Sequence, residues 1–227
     1  MADFKGSAQI AIRRLKWEFS FRRTVILTAS VRYPEGKVPG SPRAERSINS
    51  RIKAQTAAFH RYVSGPLYRS AAADFRYAKA NHSPFHPYQA LLDYEVSLNC
   101  GGYLSIFRDR YEYTGGAHGS TVRLADTWDL KNGRRVFLRA FFCRGKDWQK
   151  RVLGQILQQA DKEMRENPGI FFDDYRDRIP TYWNPEHFYL TPAGIAVYYQ
   201  QYEIAPYSSG IVLFPIQGDR GPACKRR

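Results

Sequence analysis

Residues 91–98, Leu-Leu-Asp-Tyr-Glu-Val-Ser-Leu, are followed by Gly101-Gly-Tyr-Leu-Ser-Ile-Phe-Arg-Asp-Arg-Tyr-Glu-Tyr113 and then by Ser120-Thr-Val-Arg-Leu-Ala-Asp-Thr-Trp-Asp-Leu130. Each stretch alternates apolar and polar residues, is rich in β-branched and aromatic side chains, and ends at glycines or at the hairpin signal Lys131-Asn-Gly133. This reads as a three-stranded meander, and short strands with tight turns favour antiparallel pairing. Upstream, Leu15–Phe21 and Val25–Val31 read as two more strands, with Arg22-Arg23 as their turn. Downstream, His187–Leu190 and Ile195–Gln200 read as a hairpin, and Ile211–Ile216 as a last strand.

Helical periodicity fills the intervals. Ser47 is placed to cap a helix whose apolar face carries Ile48, Ile52, Phe59, Tyr62 and Val63. Gly65-Pro66 is expected to interrupt it, and an alanine-rich helix follows to about Lys79. A longer amphipathic helix is predicted from Asp147 to Glu166, with Trp148, Val152, Ile156, Leu157, Ala160 and Met164 inward and Asn167-Pro-Gly169 ending it. Pro34–Pro42 and the acidic Phe171–Arg178 stretch read as loops, and the tail from Gly218 as frayed. The expected class is α+β, antiparallel sheet covered by amphipathic helices. Residues 1–87 form a basic first part and 88–227 a second, in one two-part unit.

With 227 residues the chain can bury a large core, and no apolar run approaches the roughly 20 residues needed to span a bilayer. The N-terminus lacks a secretory pattern, so the expectation is a cytoplasmic protein unless an export segment was removed. Three cysteines, Cys100, Cys143 and Cys224, have no Cys-x-x-Cys spacing and allow one bridge at most, so thiols are expected. The net charge is +14, and residues 1–80 hold 16 Lys/Arg against 5 Asp/Glu. Such a surface favours anionic partners, nucleic acid or another anionic polymer, with Arg51, Lys53, Arg61 and Arg69 as candidate contacts; the plainer reading is a solvated face.

Chemistry-bearing motifs are few. Tyr111-Glu-Tyr-Thr-Gly-Gly-Ala-His-Gly119 has the look of a site, yet His118 has no second histidine or acid at metal spacing, and no lysine completes a phosphate loop. Asp173, Asp174, Asp177 and Glu186 are read as a solvated cluster rather than a glycosidase pair. No catalytic set, metal site or cofactor is expected. Candidate ligand-binding residues are Tyr111, Tyr113, Gly115, Gly116 and His118 with Tyr202, Glu203 and Tyr207, because both loops end predicted strands and tyrosines suit interfaces and sugar stacking; the plainer reading is glycines that shape a strand connection and tyrosines that pack half-buried.

Three motifs together carry a family resemblance: Tyr94-Glu-Val-Ser-Leu-Asn-Cys-Gly-Gly-Tyr-Leu-Ser-Ile106; Tyr113–Gly119 with Trp128-Asp-Leu-Lys-Asn-Gly133; and Phe188-Tyr-Leu-Thr-Pro-Ala-Gly-Ile195 with Tyr202-Glu-Ile-Ala-Pro-Tyr-Ser-Ser-Gly210. In order and spacing they resemble the paired extracellular domains of lysozyme-sensing anti-sigma-V factors and the accessory domains of PdaC-type peptidoglycan N-deacetylases. The resemblance covers about residues 24–216 and implies a non-catalytic α+β module outside the cytoplasmic membrane that meets a protein or a peptidoglycan-type glycan. The chain shows neither a transmembrane helix with a sigma-binding segment nor a deacetylase domain. Sigma-factor regulation and deacetylation therefore do not carry over.

Overall fold

The computed structural model describes residues 6–143 and 147–220. Strand β1 (Gln9–Phe21) turns back into β2 (Thr24–Lys37). Arg22 and Arg23 take φ of 48° and 67°, the left-handed pair that a tight two-residue hairpin demands, so the turn falls where it was expected. The Pro34–Pro42 stretch is not all loop. β2 runs on through Pro34, opposite Ile12, to Lys37. The next strand pairs with β2 only as far as Arg32, so Pro34 sits where one side of β2 is open and can hold a residue without an N–H. Gly36 then bonds the side chain of Asn49, its N–H donating to Oδ1 at 2.9 Å and its carbonyl accepting from Nδ2 at 2.7 Å.

Helix α1 (Pro42–Tyr62) starts earlier than the sequence reading placed it. Ser41 is the cap and accepts the Ala44 N–H, with Pro42 in the first turn. Ser47 instead donates its hydroxyl to the Gly133 carbonyl at 2.9 Å. Gly65-Pro66 does not break the helix either. The segment Val63–Leu67 widens into a π-helical turn that accommodates a proline, and α2 (Tyr68–Ala80) continues from it. This helical crossover returns the chain to β3 (Tyr88–Cys100) parallel to β2, with Leu27 opposite Tyr88 and Arg32 opposite Asp93. The large sheet is antiparallel, as expected, at every ladder but this one, where the long connection has room to carry the chain back to the starting end.

β3, β4 (Tyr103–Tyr113) and β5 (Ser120–Asp129) form the antiparallel meander, giving sheet order β1-β2-β3-β4-β5. This sheet takes two strands from before residue 87 and three from after it. Helix α3 (Trp148–Glu166), capped by Asp147, follows, and then α4 (Tyr175–Thr181) where the acidic loop was expected. α4 forms because Tyr175 and Ile179, four apart, bury one face against the second core. β6 (Phe188–Thr191), β7 (Gly194–Tyr199) and β8 (Val212–Ile216) make a three-stranded antiparallel sheet.

Two cores result. α1 and α2 cover one face of the large sheet, where Ile48, Ile52, Phe59 and Phe75 meet Leu27, Val31, Leu92, Leu104 and Trp128. α3 and α4 cover the small sheet, where Val152, Ile156 and Ile179 meet Leu190, Val197 and Phe214. The small sheet also closes on β4 and β5 through Tyr189, Tyr198, Ala125 and Phe107, and the Leu190 N–H donates to buried Ser105 at 2.9 Å. Residues 218–220 are held, not frayed: Asp219 takes two bonds from Arg151 and one from the Cys143 N–H, which keeps its carboxyl well below the usual range. Cys143 is a free thiol, whereas Cys100 is disulfide-bonded, which corrects the expectation of a thiol there; Cys224 and the rest of the tail lie outside the described residues. No helix among the described residues is long and apolar enough to cross a membrane.

Candidate functional site

The β4–β5 connection and the loop after β7 meet. Two side chains join them: Gln201 Oε1 accepts from the Thr121 N–H at 2.8 Å, and Gln200 Oε1 accepts from the Arg123 N–H at 2.8 Å while its Nε2 donates to the Arg123 carbonyl. These amides occupy the otherwise unpaired edge of β5. The loops are thus fixed to each other through the sheet edge.

Aromatic contacts follow from that clamp. The His118 ring stacks on Tyr207, centroids 3.9 Å apart and planes 22° from parallel, and its Nδ1 lies 3.1 Å from the Gly119 carbonyl. Tyr202 lies 5.8 Å from Tyr207 and is 49% exposed. Its φ of 66° is an unfavourable backbone for a tyrosine, held by the turn around it. Tyr111 lies flat over Gly119, where any Cβ would fall 2.4 Å from the ring, so that glycine is present for ring approach. The structure therefore brings His118, Tyr202 and Tyr207 into one face, with Tyr111 beneath the loop that carries His118.

The other candidates play different parts. Glu203 accepts the Gln200 N–H at 2.6 Å and closes its own turn; burial pushes its carboxyl up. Gly115, with φ +88°, packs near the His86 carbonyl, and Gly116 near that of His118. Tyr113 ends β4 opposite Gln89. Of the basic candidates, Arg51 reaches Asp126 at 3.3 Å and Lys53 reaches Glu35 at 3.6 Å, while Arg61 and Arg69 are exposed. Asp174 pairs with Arg178, and Glu186 with Arg135. Among the described residues, no three His, Cys, Asp or Glu side chains gather as a metal site.

Two features were missed in the sequence. One is Asp126, its side chain 2% exposed, whose carboxylate accepts from Arg108 Nη1 and Gln55 Nε2, each at 2.8 Å, and is ion-paired with Arg135 Nε at 2.8 Å and Arg51 Nε at 3.3 Å. Its strand parity was the available signal, since Asp126 is two residues before buried Trp128 and so shares its inward face. The other is a groove of about 800 Å³ between α3 and β7–β8. Gln155 and Gln159 there bond the backbone of Pro215 and Gln217 and cover the edge of β8.

Comparison with known proteins agrees with this architecture. Residues 22–121 match the family described as deacetylase PdaC, and residues 140–218 match the protein family of unknown function DUF3298. No curated protein gives a significant match. A DUF3298-family crystal structure from Bacteroides fragilis superposes with a TM-score of 0.70 at 19% identity, covering 93% of this chain and 91% of that one. A DUF3298-family protein from Pseudomonas aeruginosa gives 0.60 at 17% identity, covering 92% and 90%. The fold is thus shared over nearly the whole length of both solved chains. The chain is thus similar to a PdaC-family domain over its first half and to a DUF3298 domain over its second, in keeping with the resemblance that its three motifs carry.

Proposed function

We propose that the protein is a non-catalytic binding module that recognises a cell-wall glycan through the face made by His118, Tyr202 and Tyr207. The observation that carries this is the His118–Tyr207 stack beside exposed Tyr202, clamped to the edge of β5. Rigid aromatic rings offer large contact area at low entropic cost, which suits the flat apolar face of a sugar. Gln200, Gln201 and Glu203 are spent on holding the loops themselves, which leaves the aromatic rings as the contact surface. A glycan is preferred to a lysozyme-like protein because the +14 charge repels a basic partner.

Calorimetry of the full chain against soluble peptidoglycan fragments tests the proposal. Tyr202→Ala is expected to weaken binding about tenfold, from roughly 1.4 kcal/mol of lost stacking. Absence of heat at millimolar fragment refutes the glycan reading. Binding of lysozyme alone, abolished by the same variant, would replace the glycan by a protein partner.

A further inference from the structure

The buried Asp126 lies at the bottom of a second, smaller cleft of about 110 Å³, between α1, the outer edge of β5 and the segment that leads into β6. Arg51, Arg108 and Arg135 line it, with Glu186 at its rim and His187 on its wall. Three guanidiniums face two carboxylates, so the cleft holds one positive charge in excess. The donor balance is more lopsided still. An ionised carboxylate offers about four lone-pair positions, and Asp126 already has four neighbours in Gln55 and the three arginines. Each guanidinium has five N–H groups, so most of those in the cleft have no acceptor in Asp126.

Two buried nitrogens are left without a hydrogen bond: Arg135 Nε is a donor that marks a missing acceptor, and His187 Nδ1 becomes one when its ring is protonated there. Arg135 Nε lies 2.8 Å from Asp126 but outside hydrogen-bonding geometry, and His187 Nδ1 has no partner. Both belong to residues that line this cleft. Leaving such donors unpaired is costly, and natural structures usually satisfy them. The volume admits a few waters or one small oxyanion, not a sugar ring with its substituents.

We infer that this cleft is a binding site for a single small oxyanion, a carboxylate or a phosphate, held by Arg51, Arg108, Arg135 and His187. A planar carboxylate or a phosphoryl group would take paired N–H donors from guanidiniums whose planes are already fixed: Arg135 lies over the Phe137 ring at 5.2 Å and Arg108 over Tyr94 at 6.0 Å. The anion would lie where α1, the large sheet and the segment entering the small sheet converge. It is a site separate from the aromatic face, and neither reading depends on the other.

The full chain is titrated with acetate and with phosphate, each matched in ionic strength with chloride, by thermal shift and calorimetry. Saturable stabilisation by either ion beyond chloride is expected, about tenfold weaker in Arg51→Gln and unchanged in Arg14→Gln, an exposed arginine on β1 at the opposite edge of the large sheet. Arg51 is the variant of choice because it is the most exposed of the three arginines and makes the longest contact to Asp126, so its loss should perturb the fold least. A preference for phosphate marks a phosphoryl ligand, and a preference for acetate a carboxylate. The His187 resonance, followed by NMR, should titrate at higher pH when the anion is bound. Stabilisation no greater than with chloride, or equal in Arg51→Gln and the parent, overturns the assignment.

Discussion

Replacing Gly133 by alanine strikes the joint between the turn after β5 and the first turn of α1. A Cβ built there falls 2.6 Å from Ala44 Cα, 3.0 Å from Ser47 Cβ and 3.3 Å from the Ala44 carbonyl oxygen. Ordinary contact between carbons is about 3.5–4.0 Å, so the overlap is close to 1 Å, and the nearest atom is backbone that no rotamer change can move. Overpacking of this kind costs about 1–3 kcal/mol. The φ of +70° adds about 1–2 kcal/mol for a residue with a side chain. Relief by lifting α1 would sacrifice the bonds from Ser41 to the Lys131 carbonyl and from Ser47 to the Gly133 carbonyl, both 2.9 Å. The expected loss is therefore roughly 2–5 kcal/mol, or a fall in Tm of about 4–20 °C for a chain of this size. Gly169→Ala is the internal control, since Gly169 has φ +86° with nothing within 4 Å of the added carbon and should lose only the backbone share. Urea unfolding measures both, with the slope unchanged. If Gly133→Ala costs no more than Gly169→Ala, the steric reasoning is wrong.

Asp126→Ala leaves three arginines around a buried gap and should cost about 3–5 kcal/mol, read from the urea midpoint; a loss below about 1 kcal/mol would mean the cluster is solvated. His187 is depressed by burial, so the fold favours its neutral form: stability should be full above the unfolded value near 6.5 and decline as pH falls towards the folded pKa, a decline that His187→Gln removes in unfolding curves collected from pH 8 to 5. Glu203 is raised by burial, so the fold favours its protonated form. Its contribution is present below an unfolded pKa near 4.5 and lost as pH rises through the folded one, and Glu203→Gln should abolish that dependence. Gly154→Ala in α3 meets nothing within 4 Å and should stabilise by about 0.5–1 kcal/mol in the same assay.

Much of the fold was legible because the signals are local. The meander of β3–β5, the Arg22-Arg23 turn and the span of α3 each follow from a period of two or 3.6 read over a few turns of chain. What escaped depends on neighbours far along the chain. Pro34 is strand because β1 pairs with it and β3 has already stopped, and Gly65-Pro66 stays helical because Val63 and Leu67 are buried against the sheet. α4 owes its formation to the second core rather than to its own propensity, with Pro180 inside it.

The candidate site divides the same way. The sequence marked both loops, since glycines and tyrosines at strand ends are visible in one dimension, and on its own it determined the α+β class, the order of the strands and the family motifs. Tertiary structure alone decided that His118 stacks on Tyr207 while Glu203 turns inward to brace its own loop, because Gln200 and Gln201 bind the far edge of β5. It also decided that Asp126 gathers arginines from α1, β4 and the chain beyond β5. Periodicity fixes which way a side chain faces, whereas the partner it meets is set by packing between segments whose separation no local pattern encodes.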